Sequence, residues 1–160
     1  MKVSPILVIL FSFYITMSEA QQLKSSTDFF TIRLKPHQDL KKELMAIAVE
    51  NKMKAGFIAT CVGSLEQVNL RFANQPEGTI LKGYYEIVSL VGTLTDSSSH
   101  LHLSVSDGTG KTIGGHLLDG NLIYTTAEIV IRELTDVEFT REVDSTYGYK
   151  ELAIKPRKNK

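Results

Sequence analysis

The sequence predicts an α+β domain: a mainly antiparallel sheet with one principal flanking helix. Apolar residues recur at helical spacing in one stretch only, Asp39 to Lys54. Many other stretches alternate apolar and polar residues or run β-branched, which is strand patterning. The strands are separated by short turn signals, too short for the crossovers that parallel strands need. The composition suits this reading. With 160 residues, 42% hydrophobic and 22% charged, the chain is the size of one soluble domain. It has too many apolar residues to be disordered and too few long apolar runs to be a multi-span membrane protein. One cysteine excludes a disulfide scaffold. Eighteen basic residues balance eighteen acidic ones, so the basic excess common in nucleic-acid binders is absent.

The elements follow in order. Phe29 to Leu34 reads as a strand and Pro36 breaks it. In the helix, Leu40, Leu44, Ile47 and Ala48 form the apolar stripe, Lys41, Lys42 and Glu50 the polar face, and Gly56 the stop. Phe57 to Val62 is a strand, Gly63-Ser64 a turn, and Glu66 to Phe72 an alternating strand. Asn74 to Gly78 is a loop and Tyr84 to Thr95 is strand-rich. Asp96 to Ser99 turns the chain into the alternating stretch His100 to Asp107. Asp107-Gly108-Thr109-Gly110 is a hairpin signal leading to the strand Thr112 to Leu118. A turn at Asp119-Gly120-Asn121 precedes Leu122 to Leu134, a β-branched run interrupted at Ala127-Glu128. Val137 to Glu142 and Glu151 to Ile154 are expected to finish the sheet, and the basic tail to be frayed. One helix cannot cover so wide a sheet, so apolar positions such as Leu90, Ile129 and Ile131 are expected to be uncovered and to favour oligomerisation.

The first twenty residues have the layout of a secretory signal. Lys2 supplies the charge, Ile6 to Ile15 the apolar run, and Ser18 and Ala20 the small residues before a cut after Ala20. The organisation expected is a signal peptide over 1–20, a domain over 27–155 and a basic tail over 156–160. An uncleaved anchor is the alternative, although the run is shorter than the ~20 residues of a membrane helix. The protein is therefore expected to be secreted or lumenal, with no membrane span after cleavage. Cys61, in an apolar strand, reads as an inert buried thiol. No Asn-x-Ser/Thr acceptor is present.

Three of the four histidines can carry chemistry. In His100-Leu101-His102-Leu103-Ser104-Val105-Ser106, the strand period puts the histidines and serines on one face and the apolar residues on the other. The hairpin brings Gly114-Gly115-His116 back alongside. Three imidazoles from two neighbouring strands can hold one Zn²⁺ and leave a position open, which is the pattern of catalytic rather than structural zinc. The glycines allow backbone or ligand to approach His116 closely. Glu86 and Glu128 interrupt apolar strands and are candidate cofactor-binding residues, as a fourth ligand, a supporting hydrogen-bond partner or a base. The alternative is a solvated histidine face with the two glutamates at an edge or interface. His37, before the helix, reads as surface. Gly110-Lys111-Thr112 resembles the end of a phosphate loop, but Val105 stands where the first glycine belongs. No Ser or Cys sits in a nucleophile elbow, and no Cys-x-x-Cys is present.

From Phe30 to Ile154 the chain resembles the plant and prokaryote conserved (PPC) domain family. The resemblance rests on the order and spacing of several segments. They include Arg33-Leu34 with Asp39-Leu40, Gly63-Ser64-Leu65, Leu70-Arg71-Phe72-Ala73, and Gly83 to Leu90 with Gly92-Thr93-Leu94. Further along come His100 to Ser104, Gly114-Gly115-His116-Leu117 and Tyr124-Thr125-Thr126-Ala127-Glu128-Ile129. The resemblance implies a seven-or-so-stranded antiparallel sheet with a flanking helix, assembled as a homotrimer. It also implies that His100, His102 and His116 sit together, as in prokaryotic members able to hold a metal. In land plants the domain follows AT-hook motifs, whereas this chain has no Arg-Gly-Arg-Pro hook and no basic arm. Lys82-Gly83-Tyr84-Tyr85 stands where the family commonly has Gly-Arg-Phe, so an arginine contact to an anion is not expected there.

Residues and resemblance together point to a secreted, homotrimeric PPC-domain protein. It is expected to bind a metal ion, zinc first, through His100, His102 and His116, and a small ligand with Glu86 or Glu128 nearby. Nucleic acid is not an expected partner. Two other classes stay open at this point: a DNA- or protein-binding module like the plant members, and a metal-dependent lyase or hydrolase.

Overall fold

A computed structural model of the protein describes residues 24–158. The expected signal peptide lies outside these residues. The order is β1 (Thr27–Leu34), α1 (Leu40–Glu50), β2 (Gly56–Arg71), β3 (Thr79–Leu94), β4 (Ser99–Ser106), β5 (Thr112–Leu117), β6 (Leu122–Leu134), β7 (Val137–Val143) and β8 (Lys150–Pro156). Strands β1 to β6 form one antiparallel sheet in the order β1-β6-β2-β3-β4-β5. The end of β2 also pairs with β5, Leu70 opposite Leu117 and Arg71 opposite His116, which curls the sheet back on itself. Among the described residues no helix is long and apolar enough to cross a membrane.

The helix forms where the apolar spacing put it, and Leu40, Leu44 and Ala48 join the core. Asp39 caps it, its carboxylate accepting from the backbone N–H of Lys41 and Lys42. It ends earlier than expected. Asn51 is the C-cap and Lys52 takes a left-handed φ of 51°, so Met53 turns inward and is fully buried. The stop is this turn, not Gly56.

Gly63-Ser64 is not a turn. β2 runs straight through it as one strand of sixteen residues, with register shifts against β6 on either side of Leu65. Ala127-Glu128 does not interrupt β6 either, because Ala127 faces inward opposite Gly63 and Glu128 faces outward opposite Val62. β7 and β8 do not finish the main sheet. They pair only with each other, and Phe139 N–H donates to Lys54 O to hold this ribbon at the molecule's end.

The core is a cluster of aliphatic side chains from α1 and the inner faces of β2 to β6. Leu90, Ile129 and Ile131, expected to be uncovered, belong to it, since strand alternation points them to the same side as the helix stripe. The uncovered apolar residues are on the outer face instead: Phe29, Val62, Tyr84, Val88, Val91 and Tyr124. The tail is not frayed at its start, because Arg157 forms an ion pair of 3.1 Å with buried Glu133.

Candidate functional site

β4 alternates as its sequence dictates. Leu101, Leu103 and Val105 are buried while His100 and His102 point out. The turn into β5 is held by Asp107, whose carboxylate accepts from Thr109 and Lys111 backbone N–H groups and from the Thr109 hydroxyl. These bonds hold its carboxyl below the usual carboxylate range, the Thr109 hydroxyl contributing most. The resulting register sets His116 directly opposite His102. Gly115 permits the closure behind it, because a Cβ there would meet Arg71 O at 2.7 Å where β2 crosses β5. Its small size admits backbone, one of the two roles expected of the glycines.

The three histidines come together. Their ligand nitrogens all lie within 4.8 Å of one another. His102 Nε2 and His116 Nδ1 are 3.2 Å apart, close to the ~3.3 Å that two nitrogens span on one tetrahedral Zn²⁺. The same distance also suits an N–H···N bond between two neutral rings. The His102 and His116 rings meet edge to face at 4.4 Å, and His100 stacks on His116 at 5.3 Å.

Electrostatics favour the neutral, ligating form of His100 and His116. Burial pushes the His100 pKa below its usual value, helped by positive charge on Arg141, His102 and Arg71 and opposed by Glu151. Burial likewise lowers His116, with Arg71 next and the other two histidines after it. Arg71 and Arg141 were not among the sequence candidates. Arg71 is carried beside His116 by the β2–β5 pairing, and Arg141 comes from β7, where it donates to Thr93 Oγ1 at 3.1 Å. No local pattern in the sequence signals either approach.

Glu86 and Glu128 are both exposed, and neither belongs to the histidine group. Glu86 pairs with Ser106 and Ser64, five residues along β3 from Val91, the residue opposite His102. Glu128 lies on β6 opposite Val62. His37 is at the surface as expected, 2.7 Å from Glu66. Cys61 is partly buried, and burial pushes its thiol up to about 12.

The chain belongs to the Plants and Prokaryotes Conserved (PCC) domain family, whose model matches residues 21–135. The fold resembles that of a hypothetical protein from Salmonella cholerae-suis, with a TM-score of 0.84 and 42% identity over 86% of this chain and 99% of that one. A metal-containing protein from Archaeoglobus fulgidus shares the fold at TM-score 0.70 and 21% identity, over 84% of this chain and 99% of that one. Among curated proteins, the bifunctional protein GlmU of Synechococcus sp. strain JA-2-3B'a(2-13) is 46% identical over 131 residues, 82% of this chain. The match spans about a fifth of GlmU, 21% of its length.

Proposed function

We propose that this PCC-domain protein binds a divalent metal ion, zinc first, through His100, His102 and His116, and presents an open metal position to a small ligand. The observation that carries this reading is the 3.2 Å separation of His102 Nε2 and His116 Nδ1 across paired strands. Two ligands already stand at tetrahedral spacing, and exposed His100 has at most about 1.5 Å to close, which a side-chain rotation supplies. Imidazole is a good donor for zinc, and a set of three leaves one coordination position for solvent or ligand. The Archaeoglobus protein of the same fold, described as metal-containing, agrees with this reading. When bound, the ion would supply Lewis acidity. The chain's own contribution is to hold three rings convergent on two paired strands, with burial favouring the neutral form of His100 and His116.

The same proposal includes secretion after cleavage at Ala20 and assembly as a homotrimer through the outer sheet face, where exposed Val62, Tyr84, Val88 and Val91 support association. Glu86 and Glu128 lie on exposed positions of that sheet, so their contribution to a ligand would come through assembly rather than within one protomer.

The test is the zinc content of the untagged chain 21–160 by elemental mass spectrometry, beside His102→Ala. Near-stoichiometric zinc, lost in the variant, is expected. A folded wild-type protein that takes up no added zinc overturns the metal reading.

A further inference from the structure

A groove of about 880 Å³ opens against His100 and His116. Its walls carry four cationic side chains, Lys41, Arg71, Arg141 and Lys150, and one carboxylate, Glu151. Lys41 is partly neutralised by Asp119 at 3.2 Å. The two arginines line the same groove as the two histidines. Arg71 bonds only uncharged Gln75 O, at 3.2 Å, and Arg141 only uncharged Thr93 Oγ1, at 3.1 Å, among the hydrogen bonds described. Both guanidiniums belong to the same groove lining as His100 and His116, and they come from different elements, β2 and β7. Each guanidinium has five donors, which leaves further N–H groups available to a ligand. The volume is that of a small-molecule site.

We propose that this groove binds a small anion, its carboxylate or phosphate oxygens held between Arg71 and Arg141 beside the histidine cluster. A further oxygen of the same molecule would reach the open metal position, and that second part rests on the metal reading above. Planar forked guanidiniums match carboxylate and phosphate oxygens in pairs, which a lysine cluster would not do. A neutral or cationic ligand would leave two arginine charges uncompensated beside a metal ion. Arg141, Lys150 and Glu151 lie beyond residues 21–135, so part of this lining is added by the β7–β8 ribbon outside the family match.

The experiment is calorimetric titration of the 21–160 protein at low ionic strength, once after chelation and once loaded with zinc. The probes are inorganic phosphate, malonate and, as the uncharged control, malonamide. Saturable binding of phosphate or malonate to the chelated protein at one site per chain, with none of malonamide, is expected. Arg71→Gln and Arg141→Gln should each weaken it at least about tenfold, and Lys111→Gln in the distant β4–β5 turn should leave it unchanged. Arg141→Lys keeps the charge and should still weaken binding, which serves if the ribbon needs a cation at 141 to fold. Tighter binding after zinc loading supports the metal-linked part. Equal binding with and without bound zinc overturns that part alone. Arginine-dependent binding by a protein that takes up no zinc on loading refutes the metal reading and leaves the anion site standing. No saturable binding of either anion, or binding indifferent to both arginines, overturns the proposal.

Discussion

Asn121 lies fully buried at the turn into β6, where its amide donates to Asn69 O and Leu118 O and accepts from Asn69 N–H. The sequence marks this residue only as part of an Asp-Gly-Asn turn. A turn signal reads local backbone preference, and the partner strand that buries it lies fifty-two residues away. Asn121→Ala would leave β2 backbone groups unpaired inside the fold, so a loss of about 2–4 kcal/mol is expected in denaturant unfolding. Cys61 was expected to be an inert buried thiol, and it is partly buried in β2. With its pKa near 12, alkylation by iodoacetamide at pH 8 should run at least about a hundredfold slower than for a free thiol, and should speed up in denaturant. The histidines give the third residue-scale prediction. His100 and His116 have folded-state values below the ordinary 6.5, so near and below that pH the unfolded chain binds more protons than the folded one. The stability of metal-free protein is therefore complete above about pH 6.5 and declines as the pH falls through the lowered values. Melting temperature against pH checks this, and His100→Gln with His116→Gln should flatten the decline.

At the scale of elements, periodicity was the reliable signal and punctuation the misleading one. Strict alternation fixed the face and content of β4, and a hairpin of the right length fixed its register with β5, so the histidine trio could be assembled from sequence. Glycine and small polar residues misled in β2, where Gly63-Ser64 is a bulged position inside a strand rather than a turn. The difference lies in β6, which pairs along both halves of β2 and keeps them collinear. The β7–β8 ribbon has strand composition like the rest, and nothing local says that it leaves the main sheet. The helix start was legible and also ties two elements together. One Asp39 oxygen caps α1 while the other accepts from Gly120 N–H at 2.7 Å, and Asp39 bridges Leu122 at the start of β6. Asp39→Ala thus removes a cap and a tertiary tether at once. We expect a loss of about 1–3 kcal/mol, larger than an N-cap alone gives, with Asp39→Asn recovering part of it. Urea unfolding of the three proteins separates the two contributions.

At the scale of the molecule, closure of β2 onto β5 decides which apolar face is buried. The pattern of each strand defines two faces, but not which way the sheet curls. Leu90, Ile129 and Ile131 were therefore expected outside and are found inside. The outer face that remains carries Phe29, Val62, Tyr84, Val88 and Val91, each more than half exposed, across neighbouring strands. Arg132 covers the Phe29 ring at 4.5 Å, and Tyr84 meets Tyr124 at 4.4 Å, but the three valines gain no such cover from these pairs. Strands with covered inner faces and bare valines outside are what a second copy of the sheet would bury. If the protein assembles through this face, a carboxylate at its centre cannot be accommodated, because desolvating an unpaired charge costs several kcal/mol. Val88 is the residue to change, being 57% exposed on β3 and outside the core cluster. Light scattering after size exclusion should give three times the protomer mass for the wild type and one protomer mass for Val88→Glu. Both proteins should keep the same far-ultraviolet circular dichroism. A monomeric wild type removes the trimer. A trimer that tolerates Val88→Glu moves the interface to another face.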